Sequence, residues 1–174
     1  MKFSMIAAMD AKNGIGANNK IPWNIPEDLK YFQDVTKSKT KQNVVIMGKN
    51  TWFSLPKKFR PLKERINLII SSQPEKIDDH DLIYSSLQSA LNYCQSLDSN
   101  ILGEIFIIGG QRMYEEGIKH PDCQKLYLTE IKKTFPCEVF FPKLDRTKFF
   151  LESQSSIRSK DDFEYIFKVY RKNK

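Results

Sequence analysis

Gly14-Ile-Gly16-Ala-Asn-Asn-Lys-Ile-Pro22-Trp23-Asn-Ile-Pro26-Glu-Asp28-Leu29-Lys-Tyr-Phe32 is the stretch with the most chemical promise. A glycine-containing, mobile-looking loop feeds a rigid Pro-Trp segment and then a helix. That helix starts at Pro26, with Glu27 and Asp28 at its positive end, and runs to about Val35. Asp28, Leu29 and Phe32 then lie on adjoining parts of one face. A carboxylate set among Trp23, Leu29 and Phe32 is expensive to ionise without a cation, so its pKa tends upward. Such a group suits paired hydrogen bonds to a planar, amidine-like heterocycle and delivery of a proton to it. For a lone helix-start Asp, a first-turn acid facing water is the stronger alternative. The segment as a whole favours the buried acid.

Three other segments end a strand in groups that suit an anion. In Ile105-Phe-Ile-Ile-Gly109-Gly110-Gln111-Arg112-Met113-Tyr114 a strand meets two glycines and then a helix, where free N–H groups face a phosphate and glycine lets it approach. An anion site and a bare tight turn fit this segment equally well. G-x-G-x-x-G is absent, so a standard Rossmann site is not supported. Asn43-Val-Val-Ile-Met47-Gly48-Lys49-Asn50-Thr51-Trp52 repeats the logic with a cation and a hydroxyl. It is no P-loop, since Asn follows Lys49 and Asn43 stands where a P-loop needs Gly. Ser71-Ser72 ends a further strand; alone, the pair reads as a polar turn. Open α/β sheets bind ligands at the carboxyl ends of strands. Three such ends together favour a long, phosphate-bearing cofactor, a dinucleotide over a mononucleotide.

The elements that must position these groups follow from periodicity. Apolar runs rich in branched and aromatic residues at Phe3–Met9, Val44–Met47, Ile66–Ile70, Leu82–Tyr84, Ile105–Ile108, Leu126–Ile131, Phe149–Ser153 and Phe163–Tyr170 predict strands. Ser86–Leu97 and Met113–Ile118 predict helices. Alternation of the two predicts a largely parallel α/β sheet, and the last two strands an antiparallel hairpin at one edge. The 174 residues suit one domain, residues 1–174. Apolar residues make up 40%; seven glycines in 174 raise this to about 44%, just under the usual globular range. With 12 Phe, 7 Tyr and 2 Trp, wholesale disorder is excluded.

No apolar run is long enough to span a bilayer, and the opening Met-Lys-Phe-Ser-Met is read as part of a buried first strand rather than a signal peptide. Cys94, Cys123 and Cys137 show no C-x-x-C spacing and suggest free thiols in a reducing, cytoplasmic setting. With only two histidines, no metal site is expected. The net charge of +7, from 28 basic against 21 acidic residues, suits an anionic partner. Much of it crowds the C-terminal end, where charges are usually just solvated.

The chain resembles the dihydrofolate reductase family over nearly its whole length. The resemblance rests on Gly14-Ile15-Gly16, Ile21-Pro22-Trp23, Asp28-Leu29 with Phe32, Val45-Ile46-Met47-Gly48 with Thr51-Trp52, Arg60-Pro61-Leu62 with Arg65-Ile66-Asn67, Ile108-Gly109-Gly110 with Tyr114, and Leu128-Thr129. It implies a mostly parallel sheet of about eight strands with an antiparallel C-terminal edge and about four flanking helices, and a cis peptide between Gly109 and Gly110. It also implies hydride transfer from NADPH to C6 of dihydrofolate, with a proton reaching N5. In the implied site Asp28 binds the pteridine and promotes its protonation, Thr129 bonds that carboxylate, and Trp23 holds an ordered water. Ile6, Ala7, Leu29, Phe32, Leu55, Leu62 and Ile108 match the apolar lining, and Arg65 the grip on the substrate's glutamate carboxylate.

For the cofactor, Ala8, Gly14, Ile15 and Gly16 match the nicotinamide side, with Gly14–Ile21 closing over the ring. Gly48, Lys49, Asn50 and Thr51 match phosphate contacts; Ser71 and Ser72 match the 2′-phosphate site; Gly109, Gly110, Arg112, Met113 and Tyr114 match the pyrophosphate and nicotinamide region. Ser72 stands where some members carry Arg, and Asp28 where others carry Glu. Gln33 and the stretch Lys57–Lys63 resemble the longer, eukaryote-like form. A monomer is expected, with no nucleic-acid or membrane partner and no room after Lys174 for a fused synthase domain. The competing expectations are a pyrimidine reductase on the same scaffold, a non-catalytic NADPH sensor and, from the charge, a nucleic-acid-binding protein.

Overall fold

Branched and aromatic runs flanked by turns become strands in the structure, a computed structural model that describes residues 1–173. In chain order the elements are β1 (Phe3–Met9), β2 (Gly14–Gly16), α1 (Pro26–Thr36), β3 (Gln42–Gly48), α2 (Lys49–Ser54), β4 (Arg65–Ile70), β5 (Ile83–Tyr84), α3 (Leu87–Ser96), β6 (Leu102–Gly109), α4 (Gln111–Lys119), β7 (Cys123–Ile131), β8 (Val139–Phe140), β9 (Phe149–Gln154), β10 (Arg158–Lys160) and β11 (Phe163–Lys172). The main sheet runs β10-β11-β7-β1-β6-β3-β4-β5, with β9 also paired to β11. From β7 through β5 every pairing is parallel, and β11 turns antiparallel against β7. The mostly parallel α/β sheet with an antiparallel edge is therefore as expected.

The differences are local. β9 and β10 share the outer edge of β11, so the expected two-stranded hairpin has a third short strand in its loop. That strand is the polar Arg158-Ser159-Lys160, which apolar patterning cannot pick out. Gly14–Gly16, read as a mobile loop, instead pairs with Val139–Phe140 as a small ribbon. α4 starts at Gln111, directly after the glycines, two residues before its apolar pattern begins.

Both faces of the sheet are covered, which explains the near-continuous apolar runs of its central strands. On one face, Ile6, Val45, Met47, Ile69 and Phe106 pack with Trp52 of α2 and with Phe32 and Val35 of α1. On the other, Met5, Val44, Ile46, Leu68, Ile105 and Ile107 pack under α3 and α4. α3 has a reciprocal cap: Ser89 N donates to Ser86 Oγ (3.1 Å) and Ser86 N to Ser89 Oγ (3.2 Å). No helix among the described residues is long and apolar enough to cross a membrane.

α1, which carries Asp28, is tied down at its end by a buried amide. Asn43 Nδ2 donates to the Thr36 carbonyl (3.1 Å) while its Oδ1 accepts from Glu104 N (2.8 Å), joining α1, β3 and β6. Both groups lose their partner in Asn43→Ala. Stability should fall by about 2 kcal/mol, the cost of orphaned buried polar groups, seen as a lower urea midpoint at unchanged slope.

Candidate active site

Strand order decides where the site lies. The chain passes from β1 to β3 leaving a gap that β6 later fills, so the carboxyl ends of β1, β6 and β3 stand side by side. Such a switch point opens a crevice at the strand ends. The surface hollow of about 510 Å³ at the amino ends of β3 and β6 lies at the opposite side of the sheet and is lined by charges of both signs, Asp34, Lys37, Lys41 and Glu104.

α1 enters this crevice by its first turn. No side chain caps it; Pro26 and the acids Glu27 and Asp28 form its start. The two acids part company there. Glu27 turns toward the antiparallel edge, where the Tyr165 hydroxyl donates to it and Arg158 pairs with it. Asp28 turns inward and is half-buried, and Thr129 Oγ1 donates to its Oδ1 at 2.6 Å. Burial pushes the Asp28 pKa above the ordinary 3.8, with the Thr129 bond opposing from the other side as the smaller effect. The field of Asp28 reaches three tyrosines. Tyr31 is pushed up to about 12, first by burial and then by Tyr127 and Asp28. Tyr165 also rises to about 12, mainly through burial and its bond to Glu27. Tyr114, fully enclosed, rises still further.

Thr129 is placed by sheet register. It sits on β7 opposite Ala8 of β1, which puts Thr129 and Ile6 on the α1 face. Tyr114 Oη donates to the Ile6 carbonyl (2.8 Å), binding α4 to β1 beneath the crevice. Ile6, Phe32, Leu55, Leu62 and Ile108 join in one apolar cluster. Leu29 is 54% exposed, on the turn of α1 that faces the opening. Trp23 packs edge-on against Phe135 (centroids 5.2 Å apart), and its Nε1 is buried without a partner. A buried donor with no protein acceptor is unusual and marks a place for a water or ligand atom.

The strand ends behave as a cradle. The Gly109–Gly110 peptide is cis, and Gly109 has φ +149°. A Cβ at Gly109 would lie 2.7 Å from Thr51 Oγ1, and one at Gly110 3.2 Å from it, so α2 closes directly on the glycine pair. Gly48 stands on the other side, its own Cβ position 3.7 Å from Gly110 N. No side chain caps α4 at Gly110, which leaves the first N–H groups of a nine-residue helix free for an anion. Lys49 Nζ donates to Gln73 Oε1 (2.8 Å) and Gln73 N to Ser71 Oγ (3.0 Å). A positive charge is thereby held beside the Ser71-Ser72 turn, with Ser71 buried and Ser72 exposed. These glycines, free N–H groups and hydroxyls fit a phosphate-bearing dinucleotide.

Some expected residues contribute differently from their side-chain types. Met113 of α4 is buried in the core, with its side chain packed behind the cradle, Cγ 3.6 Å from the Cβ position of Gly48. Gly14 is enclosed because a Cβ there would sit 2.5 Å from Cys137 Cβ. Ala7 and Ile15 pack against the core of the α3–α4 face. Asn50 and Arg112 are exposed. Arg65 is half-buried and has no carboxylate partner among the described residues; Nε donates to Lys63 O (3.0 Å) and Nη1 to Thr36 Oγ1 (2.8 Å), leaving Nη2 free.

Sequence patterns passed over two positioning residues. Asp10 is 3% exposed; its Oδ1 accepts from Lys12 N (2.8 Å) and Gly14 N (2.7 Å), and its Oδ2 from Phe135 N (2.8 Å). It thus ties the glycine loop to the residue packed on Trp23. Asn67, 2% exposed, bonds Leu62 through both N and O and also the Arg65 carbonyl, each at 2.9 Å. An Asn inside the run Ile66–Ile70 was the available signal. Periodicity reads such a residue as solvent-facing, however, and only the fold shows it bonding inward.

Comparison with known proteins agrees with this geometry. The family model described as dihydrofolate reductase matches residues 2–172. A dihydrofolate reductase of Heliothis virescens is 34% identical over 183 aligned positions, covering 99% of this chain and 98% of the relative. One from Sus scrofa is 36% identical, covering 97% and 96%. A viral dihydrofolate reductase of Saimiriine herpesvirus 2 is 38% identical, covering 96% and 83%. With a carboxylate bonded to a strand hydroxyl in an apolar cleft, a glycine cradle beside it and a match along almost its full length, the chain belongs to the dihydrofolate reductase family.

Proposed function

We propose that the chain reduces 7,8-dihydrofolate to 5,6,7,8-tetrahydrofolate, with NADPH as the hydride donor and residues 1–174 acting as one catalytic unit. The observation that carries this is Asp28, a half-buried acid with a raised pKa, anchored by Thr129 where the apolar cluster opens. When bound, the nicotinamide supplies the hydride; the protein's share is alignment, exclusion of water and the proton. Asp28 pairs with the amidine edge of the pteridine through its two oxygens, an arrangement that favours the protonated ring. Thr129 fixes the rotation of the carboxylate. Trp23 Nε1 holds the water through which the proton passes, since it has no protein partner of its own.

Leu29, Phe32, Leu55, Leu62 and Ile108 shed water around the ring and the arm that follows it, and Arg65 Nη2 takes the glutamate carboxylate. Gly48, Thr51 and the free N–H groups at Gly110 hold the dinucleotide phosphates. Ser71, Ser72 and Lys49 hold the 2′-phosphate, the feature that separates NADPH from NADH. A monomer suffices, because one chain contributes every residue named. Free Cys94, Cys123 and Cys137 suit the cytoplasm.

The direct test follows NADPH absorbance on adding dihydrofolate, with a diaminopyrimidine antifolate as blocker. Asp28→Asn should lower turnover at neutral pH by about 10²-fold or more, and part of it should return at low pH, where the substrate arrives protonated. Full activity in Asp28→Asn would remove the proton role. Thr129→Val removes a bond that favours the ionised acid, so the alkaline limb of the pH–rate profile should move to higher pH.

Stability should respond in the opposite direction from activity. The native state binds the Asp28 proton more tightly than the unfolded chain does. The favourable contribution is therefore complete below about pH 4 and is lost as pH rises through the native pKa. Asp28→Asn is free of that loss. Thermal melts without ligands should show the variant gaining on its parent as pH rises from 4 to 8, and an unchanging gap would contradict the burial argument.

A further inference from the structure

The Leu62–Arg65 wall has little regular structure of its own. It follows a 3-10 turn at Lys57–Phe59 and a cis Arg60–Pro61 bond. Asn67 holds Leu62, Arg65 bonds Thr36 of α1 and opens β4 beside β3, and the chain entering the wall at Arg60 is held by a residue outside the site. That residue is Asp79. Its Oδ1 accepts from the indole Nε1 of fully buried Trp52 (2.8 Å), and its Oδ2 faces Arg60 Nε at 3.1 Å. The Arg60 side chain is only 7% exposed; its guanidinium lies over the rings of Trp52 (5.5 Å) and Phe53 (5.2 Å), and Nη1 donates to the Trp52 carbonyl (3.2 Å). Asp79 is the one carboxylate within ion-pair reach of Arg60 among the described residues. The neighbouring His80 leans on Trp52 (4.9 Å) and bonds the Asn67 carbonyl through Nε2 (2.7 Å). One short segment beyond β4 thus grips α2 and the loop bearing Leu62 and Arg65 together.

We propose that Asp79 is a positioning residue for the substrate's arm: through Arg60 and Trp52 it holds the Leu62–Arg65 wall at the distance from α2 that the aminobenzoylglutamate needs. This rests on the functional reading above, in which Arg65 takes the terminal carboxylate. The physical reason is the enclosure of Arg60. A buried guanidinium stripped of its carboxylate seeks water, and the loop that carries it moves with it. The ring end of the site, set by the first turn of α1 and by β7, shares none of the bonds that Asp79 and Arg60 make and is left alone.

Asp79→Asn tests this cleanly, since the amide oxygen still accepts from Trp52 Nε1 while the charge facing Arg60 is gone. Kinetics are compared on dihydrofolate and on a 7,8-dihydropterin that lacks the aminobenzoylglutamate arm. The expected result is a KM for dihydrofolate raised about tenfold at a kcat within a factor of about two, with kcat/KM for the armless pterin nearly unchanged. The double variant Arg60→Gln with Asp79→Asn pairs two neutral amides. It should bring the dihydrofolate KM back to within about threefold of the parent. Equal losses on both substrates, or an unchanged dihydrofolate KM in folded Asp79→Asn, would overturn the proposal. Should Asp79→Asn fail to fold, the double variant decides, a loss shared by both substrates again counting against it. Failure of the parent to reduce dihydrofolate would strike the functional reading itself, so the two failures are distinguishable.

Discussion

The hydrogen bond from Thr129 to Asp28 joins the helix that carries the acid to the sheet that forms the floor of the crevice. Its importance comes from two opposed demands. The acid must be withdrawn from water enough to keep a raised pKa, yet held firmly enough to present its oxygens in a fixed plane. One hydroxyl meets both demands, because a neutral donor orients a carboxylate without supplying the positive charge that would hold its pKa low. A cationic partner at the same place would fix the geometry and abolish the chemistry. Glu27, one residue earlier, shows the contrast: paired with Arg158 and Tyr165, it serves to hold the turn of the helix that aims Asp28.

Around that bond the molecule separates its tasks by sheet position. The middle strands β3 and β6 end in the glycines of the site, and α4, tied to β1 through the Ile6 carbonyl, adds the free N–H groups of its first turn. Helices α1 and α2 bring side chains, greasy ones toward the ring and hydroxyl or cationic ones toward the phosphates. These strand ends are stiff because their strands are buried on both faces. The side-chain walls are less so, and here buried polar residues act as cross-links. Asn43 pins the end of α1, Asn67 the Leu62–Arg65 wall, and Asp10 the glycine loop. Each satisfies two or more main-chain groups that would otherwise be stranded away from water, which is why a polar side chain can reside there at all.

Much of the scaffold was legible before any coordinates. Runs such as Phe3–Met9 and Ile66–Ile70 declare themselves through branched and aromatic side chains, and Pro26-Glu27-Asp28 declares a helix start. The inward-facing acid was legible too, though only from the whole segment around it, because an Asp in a first turn more often faces water. Arg158–Lys160 and the Gly14–Gly16 ribbon were not legible: both pair by main-chain bonds that leave no apolar signature. Asp10, Asn67 and Asp79 were illegible for a different reason. Each bonds across a gap in sequence to groups that become neighbours only when strands and loops are stacked.

By itself the sequence determined the strand and helix segments, whose patterns repeat over a few positions, the parallel character of the sheet, through the alternation of those segments, and the chemical types at the strand ends. Tertiary structure alone decided the rest. It placed β6 between β1 and β3 and brought Thr129 within 2.6 Å of an acid that precedes it by 101 residues. It also closed Thr51 on the glycine pair and left the Trp23 indole nitrogen without a protein partner. Those outcomes depend on register and on competition among buried polar groups for few partners. Both are properties of the assembled sheet, and no local stretch of chain contains them.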